Sequence, residues 1–247
     1  MRPLIVVITE GARSFARRKL RSAHGSLEAA EALLAHTLAV AKEVGDVRVC
    51  APDGSDAVEL ARTHEVPWIR QATGALGARV AAALATVRAQ EPPFSSRPVI
   101  LLGDDCPGLT AEDLDAAVLA LERGAGSVAG RAKDGGFWLL GLASIDAALV
   151  SALCTRVAWC TPDAFTTLSD VLVDQLGSRP ALLDERSDLD AIEDVPLCRR
   201  EAHDDLVRAF LWAIRPGLAN TDVVPKEEPQ PLFLAGSPSR PRPPPRA

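Results

Sequence analysis

Val99-Ile100-Leu101-Leu102-Gly103-Asp104-Asp105-Cys106-Pro107-Gly108 is the stretch from which the fold can be read. Four consecutive large apolar residues describe a strand buried on both faces, as in the middle of a parallel sheet covered by helices on either side. The run passes without a break into two adjacent carboxylates, which places them at the strand's carboxyl end. In open α/β sheets ligands bind at that edge, because the loops leaving the strands diverge there. Pro107 and Gly108 turn the chain, and Leu109-Thr110-Ala111-Glu112-Asp113-Leu114 opens a helix. Thr110 is its expected N-cap, Asp113 the capping-box partner, and Leu109 with Leu114 the hydrophobic staple.

A strand followed by Asp-Asp and a turn is also a purely structural pattern, since aspartate caps backbone N–H groups in turns. The functional reading rests on charge. Two like charges at the end of a buried strand repel, and a divalent cation holds both ionised. Oxygen ligands, with few sulfur or imidazole ligands nearby, point to Mg²⁺ or Mn²⁺, which keeps positions open for phosphate oxygens. Whether Asp104 or Asp105 faces the ion is open at this level.

The other features bound the answer. The 247 residues, 47% of them hydrophobic, suffice for one large α/β domain. A net charge of -6 argues against general nucleic-acid binding. The apolar run Leu4–Ile8 lacks the length and cleavage region of a signal peptide, and no stretch is long enough to span a bilayer, so a cytoplasmic protein is expected. Five scattered cysteines form no CxxC pair, which suggests neither a disulfide framework nor a zinc site. From Pro216 onward the composition turns proline-rich. Residues 1–215 therefore read as the domain, and 216–247 as a disordered or polyproline-like tail.

Leu4–Ile8 is the first strand, followed by Thr9 to Arg21, a loop with five basic residues in nine positions. Arg13, Arg17 and Lys19 there suit the phosphates of a nucleotide, although Gly11 stands without the second glycine of a phosphate loop. Ser26 opens a helix that ends at Gly45, Val47–Cys50 is a strand, Ser55–His64 a helix and Val66–Ile69 a short strand. This alternation predicts a doubly wound sheet. Gly74 and Arg79 form a second substrate-facing turn before a helix to about Gln90, which Pro92-Pro93 closes.

Thr110–Arg123 is the capped helix, Gly126–Gly130 a weak strand, and Asp134-Gly135-Gly136-Phe137-Trp138 precedes another apolar run. It is either a hairpin turn or a loop whose glycines admit a ligand, with Asp134 beside it and Trp138 as a stacking face. Periodicity does not separate the two. Ser144–Leu153 and Pro162–Leu176 are helical, and Ala181–Leu183 is a strand before the acidic run Asp184–Asp194. A last helix from Leu197 to Ile214 is expected to pack on the sheet through Leu206, Phe210 and Trp212.

Taken together, Leu76-Gly77-Ala78-Arg79, Gly103-Asp104-Asp105-Cys106-Pro107, Asp134-Gly135-Gly136-Phe137-Trp138, Trp159-Cys160-Thr161 and Asp188-Leu189-Asp190-Ala191-Ile192-Glu193-Asp194 resemble the DUF2064 family, over roughly residues 3 to 195. The resemblance implies a Rossmann-like GT-A fold of the nucleotide-diphospho-sugar transferase superfamily, a mostly parallel mixed sheet with helices on both faces. It also implies a divalent cation, with Asp105 matching the Asp of the family's Gly-Ser-Asp-Cys-Pro pattern and Asp188 the first Asp of its Asp-Val-Asp-Thr-Pro-Glu-Asp pattern. The family's basic first loop is matched only at Arg17, Lys19 and Leu20, and Asp104 stands in place of its Ser.

The implied activity is glycosyl transfer from a nucleoside diphosphate sugar to an unknown acceptor. Asp105, Asp188 and Asp104 are the candidate metal ligands. Arg13, Arg17, Lys19, Gly74, Arg79, Gly135, Gly136 and Trp138 are the candidate substrate contacts, and Asp134 the candidate catalytic group that deprotonates or positions the acceptor. Nucleotidyl transfer with release of pyrophosphate, or a degenerate sugar-nucleotide-binding scaffold, are the alternatives.

Overall fold

A computed structural model describes residues 2–90 and 97–214 of the chain. Within them seven strands form one sheet: β1 (Leu4–Ile8), β2 (Asp46–Ala51), β3 (Trp68–Arg70), β4 (Val99–Leu102), β5 (Ser127–Ala132), β6 (Phe137–Leu142) and β7 (Ala181–Arg186). Their spatial order is β3-β2-β1-β4-β6-β5-β7. The pairs β1–β2, β1–β4, β2–β3 and β5–β7 are parallel, and β6 is antiparallel to both β4 and β5. Six strands thus run one way and β6 alone runs the other. The sheet is the mostly parallel, mixed sheet anticipated from the sequence.

Helices cover both faces because β1 and β4 carry apolar side chains at every position. Ile5, Val7, Ile100 and Leu102 pack toward α2 (Ser26–Val44), α3 (Asp56–Thr63) and α5 (Ala111–Glu122). Leu4, Val6, Val99 and Leu101 pack toward α4 (Leu76–Gln90), α6 (Ala147–Arg156) and α7 (Ala164–Leu176). Alternation along a strand sends successive side chains to opposite faces, so a run without a polar residue needs both faces covered. The expected capping box opens α5: Thr110 Oγ1 accepts from Asp113 N at 3.3 Å, and Thr110 N donates to Asp113 Oδ2 at 3.0 Å.

Three local expectations are corrected. The basic stretch after β1 is not all loop. Ala12–Arg18 forms a short helix, α1, because Ala12, Phe15 and Ala16 recur at helical spacing and bury one face, while Arg13 and Arg17 lie on the exposed face. The acidic run after the last strand begins later than read, since β7 continues to Arg186 as it pairs with β5. The final helix is two, α8 (Val195–Glu201) and α9 (Asp205–Ala213). Asp204 caps the second, its Oδ1 accepting from Val207 N at 2.9 Å.

These two helices pack on α1 and the outer side of α2 rather than on the sheet. Leu20, Leu33, Leu189, Val195, Val207 and Leu211 belong to this third apolar cluster. Phe210 borders it, whereas Trp212 is 65% exposed with the Arg199 guanidinium 4.7 Å from its ring centre. The Leu206 side chain, Pro92-Pro93 and the proline-rich residues 216–247 lie outside the described residues. No helix among the described residues is long and apolar enough to cross a membrane.

Candidate active site at the carboxyl edge of the sheet

The carboxyl ends of β1, β4, β5 and β7 meet the amino end of β6 along one edge of the sheet. From β1 the chain winds outward through β2 to β3, then returns across β1 to β4, so the crevice between β1 and β4 is a topological switch point. The two aspartates that follow β4 take separate roles there. Asp104 is buried, and its carboxylate accepts a hydrogen bond from Thr9 Oγ1, which in turn accepts from Gly11 N at 2.9 Å. Burial and the neighbouring Asp105 raise its pKa to about 6. Asp105 stands in the crevice with its Oδ2 2.8 Å from Lys19 Nζ, and its backbone carbonyl accepts from Leu189 N at 2.8 Å. Gly103 leaves it room: a Cβ there would meet Asp105 Oδ1 at 2.5 Å.

Lys19 follows the last residue of α1, where the third apolar cluster holds the helix against α2. Its ammonium binds both Asp105 and Asp190 and lies 5.0 Å from the centre of the Phe15 ring. Burial works against its charge, but the two carboxylates more than offset that and hold the group well above the ordinary lysine range. This single ammonium therefore ties the first βα connection to the segments after β4 and after β7.

Two further carboxylates, Asp134 and Asp188, converge on Asp190 beside it. One oxygen each of Asp134, Asp188 and Asp190 lies within 4.8 Å of the others. Asp134 sits in the tight turn between β5 and β6, where its Oδ1 accepts from Gly136 N at 2.7 Å. That turn is fixed by Gly135, whose φ is +95° and whose carbonyl accepts from Phe165 N at 3.0 Å; a Cβ there would meet the Pro162 carbonyl at 2.2 Å. Asp188 is pushed up to about 7, by burial first and then by Asp105, Asp134 and Asp190. A cluster of hard oxygen donors with negative charge that one ammonium does not balance has the donor chemistry of a Mg²⁺ or Mn²⁺ site.

These groups line a cavity of about 590 Å³. Of the residues singled out from sequence, Lys19, Arg79, Asp104, Asp105, Asp134, Gly136, Trp138 and Asp188 lie along it. Arg79 Nη1 reaches Glu10 Oε1 at 3.2 Å and Gln71 Oε1 at 3.1 Å, and its Nε is buried with no hydrogen-bond partner among the described residues. Trp138 belongs to the core: it is 3% exposed, lies against Gly130, and its Nε1 donates to the Asp184 carbonyl at 3.3 Å. The aromatic rings partly exposed along the cavity are instead Phe137 and Trp159.

Arg13 and Arg17 do not line the cavity. Four residues apart, they share the outer face of α1, where Arg13 meets Asp56. Arg18, paired with Glu10 at 3.1 Å, and Lys19 occupy the crevice side. Gly74 lines a second depression with Arg70, Gln71 and Thr73. Asp190, Glu10, Phe137 and Trp159 are among the cavity residues that sequence reading did not single out as site residues. The Asp188-Leu189-Asp190 spacing, which puts two carboxylates on one side of an extended segment, was the signal for the first of them.

Residues 33–161 match the family described as an uncharacterized protein conserved in bacteria (DUF2064). Asp105 and Asp134 lie inside the matched stretch; Lys19, Asp188 and Asp190 lie outside it. No curated protein matches the chain. Among solved structures, one from Desulfovibrio desulfuricans G20, designated a nucleotide-diphospho-sugar transferase, is 17% identical with a TM-score of 0.65, covering 86% of this chain and 95% of that one. A 4-diphosphocytidyl-2C-methyl-D-erythritol synthase is 17% identical with a TM-score of 0.54, over 81% of this chain and 99% of that one. A CMP:2-keto-3-deoxy-manno-octonic acid synthetase complexed with CTP is 12% identical with a TM-score of 0.51, over 86% and 99%. At these identities the likeness is one of fold, and it establishes the fold of nucleotide-diphospho-sugar transferases.

Proposed function

The chain belongs to the DUF2064 family, and on that premise we propose that it is a metal-dependent transferase that moves a sugar from a nucleoside diphosphate to an acceptor hydroxyl. The observation that carries this reading is the meeting of Lys19 with Asp105, Asp134, Asp188 and Asp190 at the switch point between β1 and β4. A carboxylate cluster alone repels a diphosphate. With a cation bound, the same cluster beside an ammonium attracts one.

Asp105, Asp188, Asp134 and Asp190 would hold the ion. Asp134, expected from sequence to deprotonate or position the acceptor, is assigned to the ion in this reading, which its proximity to Asp188 and Asp190 supports. Asp104 serves instead to position the loop after β4 through Thr9. Bound there, Mg²⁺ or Mn²⁺ supplies positive charge against the diphosphate oxygens. Lys19 and Arg79 provide the protein's own share. When the sugar bond breaks, negative charge grows on the departing diphosphate, and fixed cations aimed at that position lower the barrier without reorganising. The Arg79 side chain lines the cavity and is held by Glu10 and Gln71 through Nη1. Pockets at this sheet edge accommodate a nucleotide, and the depression at Gly74 continues it past Arg79.

A thermal-shift panel tests the reading. Nucleoside diphosphates and their sugars are compared with nucleoside triphosphates, each with Mn²⁺, with Mg²⁺ and with chelator. A ligand that binds only the folded chain raises the midpoint. The expected result is a rise with one nucleoside diphosphate family that disappears on chelation and in Asp188→Asn. Pyrophosphate release from a triphosphate would replace sugar transfer by nucleotidyl transfer. A folded protein that responds to none of them overturns both.

A further inference from the structure

We propose that the acceptor is an alcohol with an apolar body, aryl or alkyl, rather than a second sugar or another polyol. This rests on the transferase reading above and concerns the part of the same cavity that the charged groups leave uncovered. That part is built from Leu76 and Val80 of α4, Phe137 at the start of β6, and Trp159, Pro162 and Ala164 at and before the start of α7. Phe137 and Trp159 pack with ring centres 5.3 Å apart at 56°.

Trp159 offers its ring and nothing else. Its Nε1 donates to the Leu153 carbonyl at 2.9 Å, so the indole has no hydrogen left for a ligand. Its seat is also built in. A Cβ on Gly77 would meet Trp159 Nε1 at 2.5 Å, so the glycine at the start of α4 is what lets the indole lie directly on the helix backbone. A ring held this way is a fixed apolar surface.

Recognition of a polyol calls for donors and acceptors that converge on its hydroxyls. The carboxylates and cations of this cavity are committed, in the reading above, to the diphosphate and its ion, and its neutral hydroxyls are taken. Thr9 Oγ1 donates to Asp104 and accepts from Gly11 N. Thr161 Oγ1 donates to the Ala158 carbonyl at 2.7 Å and accepts from Asp163 N at 3.2 Å. No asparagine, glutamine, tyrosine or histidine side chain lines the cavity among the described residues. The chain contains no tyrosine, and its one asparagine is Asn220. A sugar acceptor would press hydroxyls unpaired against Phe137 and Trp159, which costs binding, whereas an apolar body loses only its hydration there.

The chemistry requires of the acceptor only one hydroxyl. Its oxygen forms the new bond to the anomeric carbon and its proton is released to water. The bond from that carbon to the diphosphate oxygen breaks, and the electron pair leaves with the nucleoside diphosphate.

Saturation-transfer difference NMR on the full-length chain with Mn²⁺ and a nucleoside diphosphate tests this, with 2-phenylethanol, 1-hexanol, methyl glucoside and glycerol as probes. Saturation transfer to the first two and none to the last two is expected. Trp159→Ala should reduce the transfer at least about fivefold, Trp159→Phe should keep most of it, and Trp212→Ala, on the far α9, should leave it unchanged. Should Trp159→Ala fail to fold, the wild-type ranking of the four probes and the Trp159→Phe variant decide. Transfer to methyl glucoside equal to or above that to 2-phenylethanol, or an unchanged signal in a folded Trp159→Ala, overturns the inference while leaving the transferase reading intact. Binding of the apolar alcohols without binding of any nucleotide supports the apolar surface and overturns both the acceptor assignment and the transferase reading.

Discussion

At the scale of single residues, charge balance governs this site. Asp188 is pushed up to about 7 and Asp104 to about 6, burial being the first cause for each, whereas an unfolded aspartate titrates near 3.9. Between those values the folded chain holds protons that the unfolded chain has released. The contribution of these two groups to stability without a cation is therefore full below about pH 4 and falls as pH rises through the folded values toward 7. We expect a lower urea midpoint at pH 8 than at pH 5 in chelator, a flatter profile in Asp188→Asn, and recovery at pH 8 on adding Mn²⁺. A midpoint that rises between pH 5 and 8 in chelator would show these carboxylates to be compensated in some other way. Asp105 was within reach of the sequence because it follows an apolar run, and Asp188 through the family resemblance alone. The separation of Asp104 from Asp105 was not, because it depends on Thr9, 95 residues away in sequence. Neither was Arg13 facing outward legible, since a basic stretch read as loop has no inner and outer side.

At the scale of elements, the most local rules were the easiest to read. The capping box at Thr110 needs only a three-residue spacing, and β4 needs only four apolar residues before a turn. Thr110→Ala should cost about 1 kcal/mol by chemical denaturation. Asp113→Ala should cost more, because Asp113 also accepts from Arg186 at 2.7 Å across to the end of β7, and that partner would be left partly buried without its carboxylate. Equal losses would mean that the contact to β7 contributes nothing. The break between α8 and α9 escaped sequence reading for a physical reason. Ala202-His203-Asp204 contains no proline or glycine, and the chain turns there because tertiary contacts replace the helical ones: the Asp204 cap on Val207, and the Ala202 carbonyl that accepts from Arg208 Nε at 3.1 Å.

At the scale of the molecule, strand-and-helix alternation announced the doubly wound sheet, but the reversal of β6 was left open as one of two readings of Asp134-Gly135-Gly136. The hairpin turn is the one the structure shows, and because its strands end at the carboxyl edge of the sheet it also carries Asp134 to the crevice. The same layering sorts the five cysteines. Burial raises the Cys50 thiol to about 11 and the Cys198 thiol to about 12, and lifts Cys106 well above the usual value. Cys160 is exposed at the cavity and Cys154 half-buried. A thiol reagent at pH 8 should modify Cys160 first, and Cys50, Cys106 and Cys198 only at the rate of unfolding. Prompt modification of all five would contradict the packing. The strand order also fixes when the site comes into being. Lys19 is made early, Asp134 midway, and Asp188 and Asp190 only after β7, which must dock beside β5 to bring them in. On the ribosome, a nascent chain stopped between residues 142 and 187 carries β1, β4, Lys19 and Asp134 but neither Asp188 nor Asp190. Premature termination there would remove the proposed cation site outright rather than weaken it.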